Sequence, residues 1–300
     1  MNETGLLPSD IVAVVVLYHP EGDLCGRLRR LLGQVSLLIV IANDGGEEKR
    51  LAGLRESGTR LEYVKQPENI GLGAALNQGL RLAMANGAQW CLLLDQDTIV
   101  DPQLVQAMGE IYRLCPLRDR IAVLAPNYQS PRSGKLAYKT SRSYLCVDTV
   151  ITSGSLLRLS FLPSVGLMNE RFFIEGIDLE FSLRVRKAGF VIVTSGRPLM
   201  IHGAGHCEER RLGRRTVLIG NHAAWRYYLQ FRNVSWILWR YAGFDPGWTI
   251  KAIIALGKKI TLILLFERQR PKKMRAIAAG LLDGARGRLG KVGRGHFSRL

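Results

Sequence analysis

Asp95 and Asp97 stand two residues apart, with Gln96 between them, directly after the apolar run Trp90 to Leu94. The end of a buried strand fixes backbone direction, so one carboxylate can reach a divalent ion while the other takes a sugar hydroxyl. Hard oxygen donors suit Mg²⁺ or Mn²⁺, whose remaining positions go to diphosphate oxygens and water. Asp44 ends another apolar run and can accept the ring N–H of a pyrimidine, with Tyr18, His19 and Pro20 lining the base. Asp44-Gly45-Gly46 reads equally as a plain turn. Asn69-Ile70-Gly71-Leu72-Gly73 opens a helix whose glycines permit close backbone approach and whose N-terminus favours anions. It also reads as an ordinary Gly-rich helix start, and it matches neither G-x-G-x-x-G nor a P-loop.

The stretch from Phe172 to Glu180 sets three acids, Glu175, Asp178 and Glu180, among apolar residues just before a helix carrying Arg184. Acids there can cap the helix. An acid in apolar surroundings beside a pocket is also what a general base needs. Ser153 and Gly154, in Thr152-Ser153-Gly154-Ser155, read as a loop that could wall the same pocket. His202 ends an apolar stretch and, taken alone, reads as a core histidine.

The first half of the chain must position these groups. Ile11 to Leu17, Leu37 to Ala42, Arg60 to Lys65 and Trp90 to Leu94 read as strands, the first two as runs buried on both faces. Between them, residues 24–33 and 47–57 have helical composition. Leu72, Leu76, Leu80, Ala83 and Met84 recur along one face of a helix over about 71–86. Strand, helix and strand with short connections make a mainly parallel sheet with helices on its faces, and ligands sit beyond the carboxyl ends of its strands. Three such ends carry Tyr18-His19-Pro20, Asp44 and Asp95-Gln96-Asp97, so polar groups converge on one rim.

The 300 residues, 47% of them hydrophobic, suffice for a full core and exclude a disordered chain or a disulfide miniprotein. Five cysteines (25, 91, 115, 146 and 207) lack Cys-x-x-Cys spacing and read as free thiols of a reducing compartment. MNETGLLPSD has no base and no apolar segment, so it does not read as a signal peptide. Of a net charge of +17, nearly all lies in residues 201–300, where 20 Lys and Arg face 5 Asp and Glu; residues 1–200 carry 22 against 20. Such a tail suits a polyanion. Residues 248–266 are apolar but interrupted by Lys251, Lys258 and Lys259, which predicts helices lying on an anionic surface, or a core helix pair with a basic outer face, rather than a membrane span. Aromatics 225, 227, 228, 236, 239 and 241 alternate with arginines and could mimic a nucleic-acid stacking surface, without any recognised nucleic-acid module beside them.

As an ordered set, these residues resemble inverting glycosyltransferases of family 2 with a GT-A fold. The matching residues are 14–20, Asn43-Asp44-Gly45, Asn69-Ile70-Gly71 with Asn77 and Gly79, Asp95-Gln96-Asp97, Thr152-Ser153-Gly154, the 173–180 segment with Arg184, and His202. Within that family the Asp-Gln-Asp form, the Ile-Asp-x-Glu segment, residues 227–233 and the basic C-terminus resemble bacterial rhamnosyltransferases of lipopolysaccharide and O-antigen assembly. The resemblance implies an α/β GT-A domain over 1–205 and a basic, mostly helical extension over 206–300 that binds a membrane surface or the acceptor. It further implies a Mg²⁺- or Mn²⁺-dependent transfer of one rhamnose from dTDP-β-L-rhamnose to a saccharide of a lipopolysaccharide core or lipid carrier. Asp44 would contact the base and Asp95 the ribose, while Tyr18, His19, Pro20, Asn69, Gly71, Asn77 and Gln96 complete the nucleotide-sugar site. Asp97 and His202 would hold the metal, and Asp178 would be the base. Glu175, where relatives often have Asp, competes for that last role. Ser153, Gly154, Glu175, Glu180 and Arg184 would face the acceptor. A UDP-hexose or galactofuranose donor is the alternative, and a nucleic-acid-binding protein a more remote one. Gln230-Phe231-Arg232-Asn233 does not match the Q-x-x-R-W of processive members, which implies single additions. The implied location is the cytoplasm, at the inner face of the inner membrane.

Overall fold

A computed structural model describes residues 6–46, 48–55, 60–131, 134–203, 208–212 and 215–293. The expected domain boundary at 205/206 and Cys207 lie outside these residues. By contacts the chain divides into two compact units, residues 1–170 with 177–203, and residues 171–176 with 204–300.

The first unit is built on one sheet. Its strands are β1 (Ile11–Leu17), β2 (Leu37–Ala42), β3 (Leu61–Lys65), β4 (Trp90–Asp95), β5 (Ile99–Val100), β6 (Ile121–Gln129), β7 (Tyr144–Cys146), β8 (Leu156–Arg158) and β9 (Val191–Ile201). They run in the order β3-β2-β1-β4-β8-β6-β9-β5, with β7 paired to β9. β1, β2, β3 and β4 are mutually parallel, with Leu17 level with Ala42 and Val16 with Asp95. β8 runs antiparallel to both β4 and β6, which makes the sheet mixed. Every residue of β1 and β2 is buried, as expected of β-branched runs covered on both faces. The helices of this unit are α1 (Leu24–Arg29), α2 (Ala52–Arg55), α3 (Leu72–Ala85), α4 (Leu104–Leu114), α5 (Leu162–Val165) and α6 (Ile177–Lys187). The 47–57 segment, expected to be a helix, is a short 3₁₀ turn at Glu48–Leu51 followed by the single turn of α2. α3 buries Leu76, Leu80 and Ala83 of the expected face together with Ala75, whereas Met84 is exposed.

The second unit contains an antiparallel pair, β10 (Glu208–Leu212) and β11 (Arg215–Ile219), within a region expected to be mostly helical. Three helices follow: α7 (Ala224–Tyr241), α8 (Pro246–Phe266) and α9 (Arg270–Ala285). Gly280 and Gly284 let α9 approach the α7 backbone, since a Cβ at Gly284 would stand 2.1 Å from the Arg232 carbonyl oxygen. Tyr227, Tyr228, Phe231 and Tyr241 are buried, whereas Trp225 and Trp239 of the same helix are exposed. Buried Lys273 pairs with buried Glu267 at 2.7 Å, and Glu267 also accepts a hydrogen bond from Tyr227. No helix among the described residues is long and apolar enough to cross a membrane.

Candidate active site

Parallel register brings the ends of β1, β2 and β4 to one rim. Gln96 joins two of them: its Oε1 accepts from the Tyr18 N–H at 2.7 Å, and its Nε2 donates to the Tyr18 carbonyl at 3.0 Å. Gln96 and the Tyr18 backbone thus act as a latch. The Tyr18 ring is half exposed, stacked at a tilt on His19. Arg27 of α1 donates to the Gln96 carbonyl and steadies the same corner.

Asp44 is almost fully buried. It accepts from the His19 N–H at 2.5 Å and from the Gly46 N–H at 2.9 Å. His19 meets it with a left-handed backbone (φ 47°), an uncommon conformation for a non-glycine residue and one concentrated at functional sites. His19, Pro20, Glu21, Asp44, Gly46 and Tyr63 line a cavity of about 540 Å³. Tyr63, on β3, donates to the Gly46 carbonyl and closes one wall. Behind it, Asn43 and Asn69 knit β2 to the start of α3: Asn43 Nδ2 donates to Asn69 Oδ1, which also accepts from the Gly71 N–H, while the Ile70 N–H donates to Asn43 Oδ1.

At the end of β4, Asp95, Asp97 and His202 bring one ligand atom each within 4.8 Å of one another. Two carboxylates and an imidazole form a donor set suited to a divalent ion. A relay supports them. The Asp95 N–H donates to Ser153 Oγ at 3.0 Å, Ser153 Oγ lies 2.6 Å from Thr98 Oγ1, and Thr98 Oγ1 lies 3.0 Å from His202 Nδ1. Ser153, buried, supports this cluster through both bonds. Gly154 must be glycine, because its φ is +79° and a Cβ would stand 2.5 Å from Pro126. Burial, and next the charge of Asp97, pushes Asp95 up to about 6. Burial lowers His202, against an upward pull from Asp97.

Tyr128 of β6 packs against this cluster. Its ring meets the His202 imidazole edge-on, with centroids 5.9 Å apart. Burial raises its phenol, and the charge of Asp178 adds to the rise. Asp178 sits in the first turn of α6, with Oδ1 accepting from the Leu179 N–H. The competing acid, Glu175, belongs to the second unit, where Arg226 at 2.5 Å and Gln230 at 3.0 Å occupy its carboxylate.

Three residues expected to meet ligand instead hold the scaffold. The buried Asn77 amide exchanges hydrogen bonds with the Met168 backbone and donates to Glu170. Glu180 is buried and accepts both Nε and Nη2 of Arg184, which also donates to the Val165 and Leu167 carbonyls. Tyr63, Thr98 and Tyr128 were missed, since each is a lone polar residue on or beside an apolar strand; only the proximity of Thr98 to Asp97 could have flagged one of them.

Residues 13–135 match the sequence profile of Glycosyl transferase family 2. Over 93% of its length the chain is 23% identical to dTDP-rhamnosyl transferase RfbF of Shigella flexneri, covering 96% of that protein. It is 24% identical to Galactofuranosyltransferase GlfT1 of Mycobacterium tuberculosis over 77% of this chain and 83% of that one. It is 23% identical to N-acetylglucosaminyl-diphospho-decaprenol L-rhamnosyltransferase of M. tuberculosis over 90% and 98%. In fold it is similar to GalNAc-T7 crystallised with UDP, GalNAc and Mn²⁺ (TM-score 0.52, 13% identity, 65% of this chain) and to S. aureus TarS (0.53, 12%, 86%), and it spans 44% of the length of each. The chain has a GT-A-like fold, and its residues 13–135 are similar to Glycosyl transferase family 2.

Proposed function

We propose that the chain transfers one L-rhamnosyl residue from dTDP-β-L-rhamnose to a hydroxyl of a lipid-linked or lipopolysaccharide-core saccharide at the cytoplasmic face of a membrane, with inversion to an α-rhamnoside. The observation that carries the catalytic reading is the gathering of Asp95, Asp97 and His202 at strand ends. The names of two relatives supply the sugar. Asp95, Asp97 and His202 would hold Mg²⁺ or Mn²⁺, whose chemistry is to neutralise charge on the departing diphosphate. With Nδ1 engaged by Thr98, Nε2 is the His202 nitrogen that would serve as ligand. Asp44, Gly46 and Tyr63 would enclose the base, beside the Asn69-to-Gly71 turn at the start of α3. Asp178 takes the proton of the acceptor hydroxyl as that oxygen bonds to the anomeric carbon and the bond to diphosphate breaks. The similarity to a galactofuranosyltransferase favours that donor as the second reading.

The full chain incubated with dTDP-rhamnose, Mn²⁺ and a truncated core or polyprenyl-diphosphate saccharide should yield one added rhamnose. Asp97→Ala should lower turnover about a thousandfold and abolish the rise in melting temperature that Mn²⁺ with dTDP gives the wild type. Full activity in that variant, or transfer from a galactofuranosyl donor alone, overturns the reading.

A further inference from the structure

Helix α8 has two apolar faces, and its own unit uses one. Leu256, Ile260 and Ile263 pack into the cluster of Tyr227, Phe231 and Ile277. On the other side, Ile250, Ile253, Ile254, Leu264 and Leu265 are exposed by 60, 54, 52, 43 and 52%. With Gly257 and Thr261 they recur at three- and four-residue spacing, one continuous stripe about 22 Å long. Monomeric proteins seldom leave so large an apolar patch to water.

The charges around this stripe identify what covers it. Lys251 and Lys258 stand seven residues apart along one border, both exposed, and α8 contains no acid. Exposed Arg268, Arg270, Lys272 and Arg275 follow it, and the one acid between them and α8, Glu267, is buried against Lys273. An apolar stripe edged by cations matches the boundary between anionic head groups and acyl chains. A second copy of the chain would bring the same lysines against each other, and an aliphatic stripe offers nucleic acid no ring to stack on. Crossing the bilayer would carry the lysines through hydrocarbon, whereas lying in its plane leaves them at the head groups.

We infer that the Ile250–Leu265 face of α8 docks in the plane of an anionic phospholipid bilayer, with Lys251 and Lys258 at the head groups. This rests on the reading that the enzyme works at a membrane, and not on the identity of its sugar. The test is flotation of the full chain with vesicles of phosphatidylcholine alone or mixed with phosphatidylglycerol, beside rhamnosyl transfer to a soluble acceptor. Wild type should float with the anionic vesicles and hardly with the neutral ones, less so at high salt. Ile253→Glu with Leu264→Glu should cut partition roughly tenfold or more, while Lys251→Glu with Lys258→Glu should cut it about fivefold per lysine. Both pairs are exposed, so thermal melts and soluble transfer should stay as in wild type. If the apolar pair floats like wild type, the face is wrong and the membrane reading stands. If wild type floats with no vesicle, both fall, whatever the transfer assay shows. A dimer that the apolar substitutions dissociate assigns the face to a second copy and overturns the proposal.

Discussion

Asp95 carries the strongest electrostatic tension in the active site. Withdrawn from water and faced by Asp97, its carboxyl titrates near 6 in the folded chain against 3.8 for a free aspartate. The folded state therefore keeps a proton that the unfolded state gives up, and metal-free stability falls as pH climbs from about 4 to about 6, by about 3 kcal/mol. Asp95→Asn removes that dependence. Without metal the variant should melt above wild type at pH 7.5, and the two should converge near pH 4; an offset that does not change with pH refutes this. A cation reverses the balance, because it favours the charged form. The Mn²⁺-induced rise in melting temperature should accordingly shrink below about pH 6 in wild type.

At the scale of elements, the segment between Glu170 and α6 departs most from regular backbone. Phe173, Glu175 and Gly176 all have positive φ. Buried Asn233 of α7 donates to the carbonyls of Phe172, Ile174 and Glu175, holding that path. On the proposed role of Asp178 as the base, three positions beyond Glu175, Asn233 would act as a positioning residue through this path. Asn233→Ala should lower kcat by roughly ten- to a hundredfold with donor KM little changed, and Asn233→Asp, which lacks the amide donor, should not rescue it. Unchanged kcat in a folded Asn233→Ala refutes the role. The strands that frame the site were legible, because β1, β2 and β4 are apolar runs that stop at polar residues. Asp97 and His202 were paired by the resemblance, whereas Asp95, expected at the ribose, stands with them within 4.8 Å. The roles of Asn77, Glu180 and Arg184 were not legible, since a polar residue that meets ligand and one that satisfies buried backbone look alike until the partner is seen. Tyr128 was invisible for a similar reason, because its importance comes from a neighbour 74 positions away, His202. The β10–β11 hairpin escaped notice within a segment read by its charge.

Across the whole molecule the charge is lopsided, with residues 201–300 holding 20 basic against 5 acidic side chains. Such a field acts on surfaces and weakens once salt shortens its reach to about 8 Å, whereas buried contacts are screened much less. Turnover of a lipid-linked acceptor in anionic vesicles should therefore fall steeply between about 0.05 and 0.5 M NaCl, while turnover of a soluble acceptor changes little. Equal salt sensitivity in the two assays would show that the tail serves catalysis and not attachment.

The fastening of Asn43 to Asn69, and of Gln96 to Tyr18, is made wholly from neutral amides and peptide groups. Those ties do not titrate, so acidification that protonates the cation centre leaves the framework of the nucleoside end standing. On the proposed role of Asp95, Asp97 and His202 as cation ligands, a mildly acidic solution should loosen the cation while sparing these two ties.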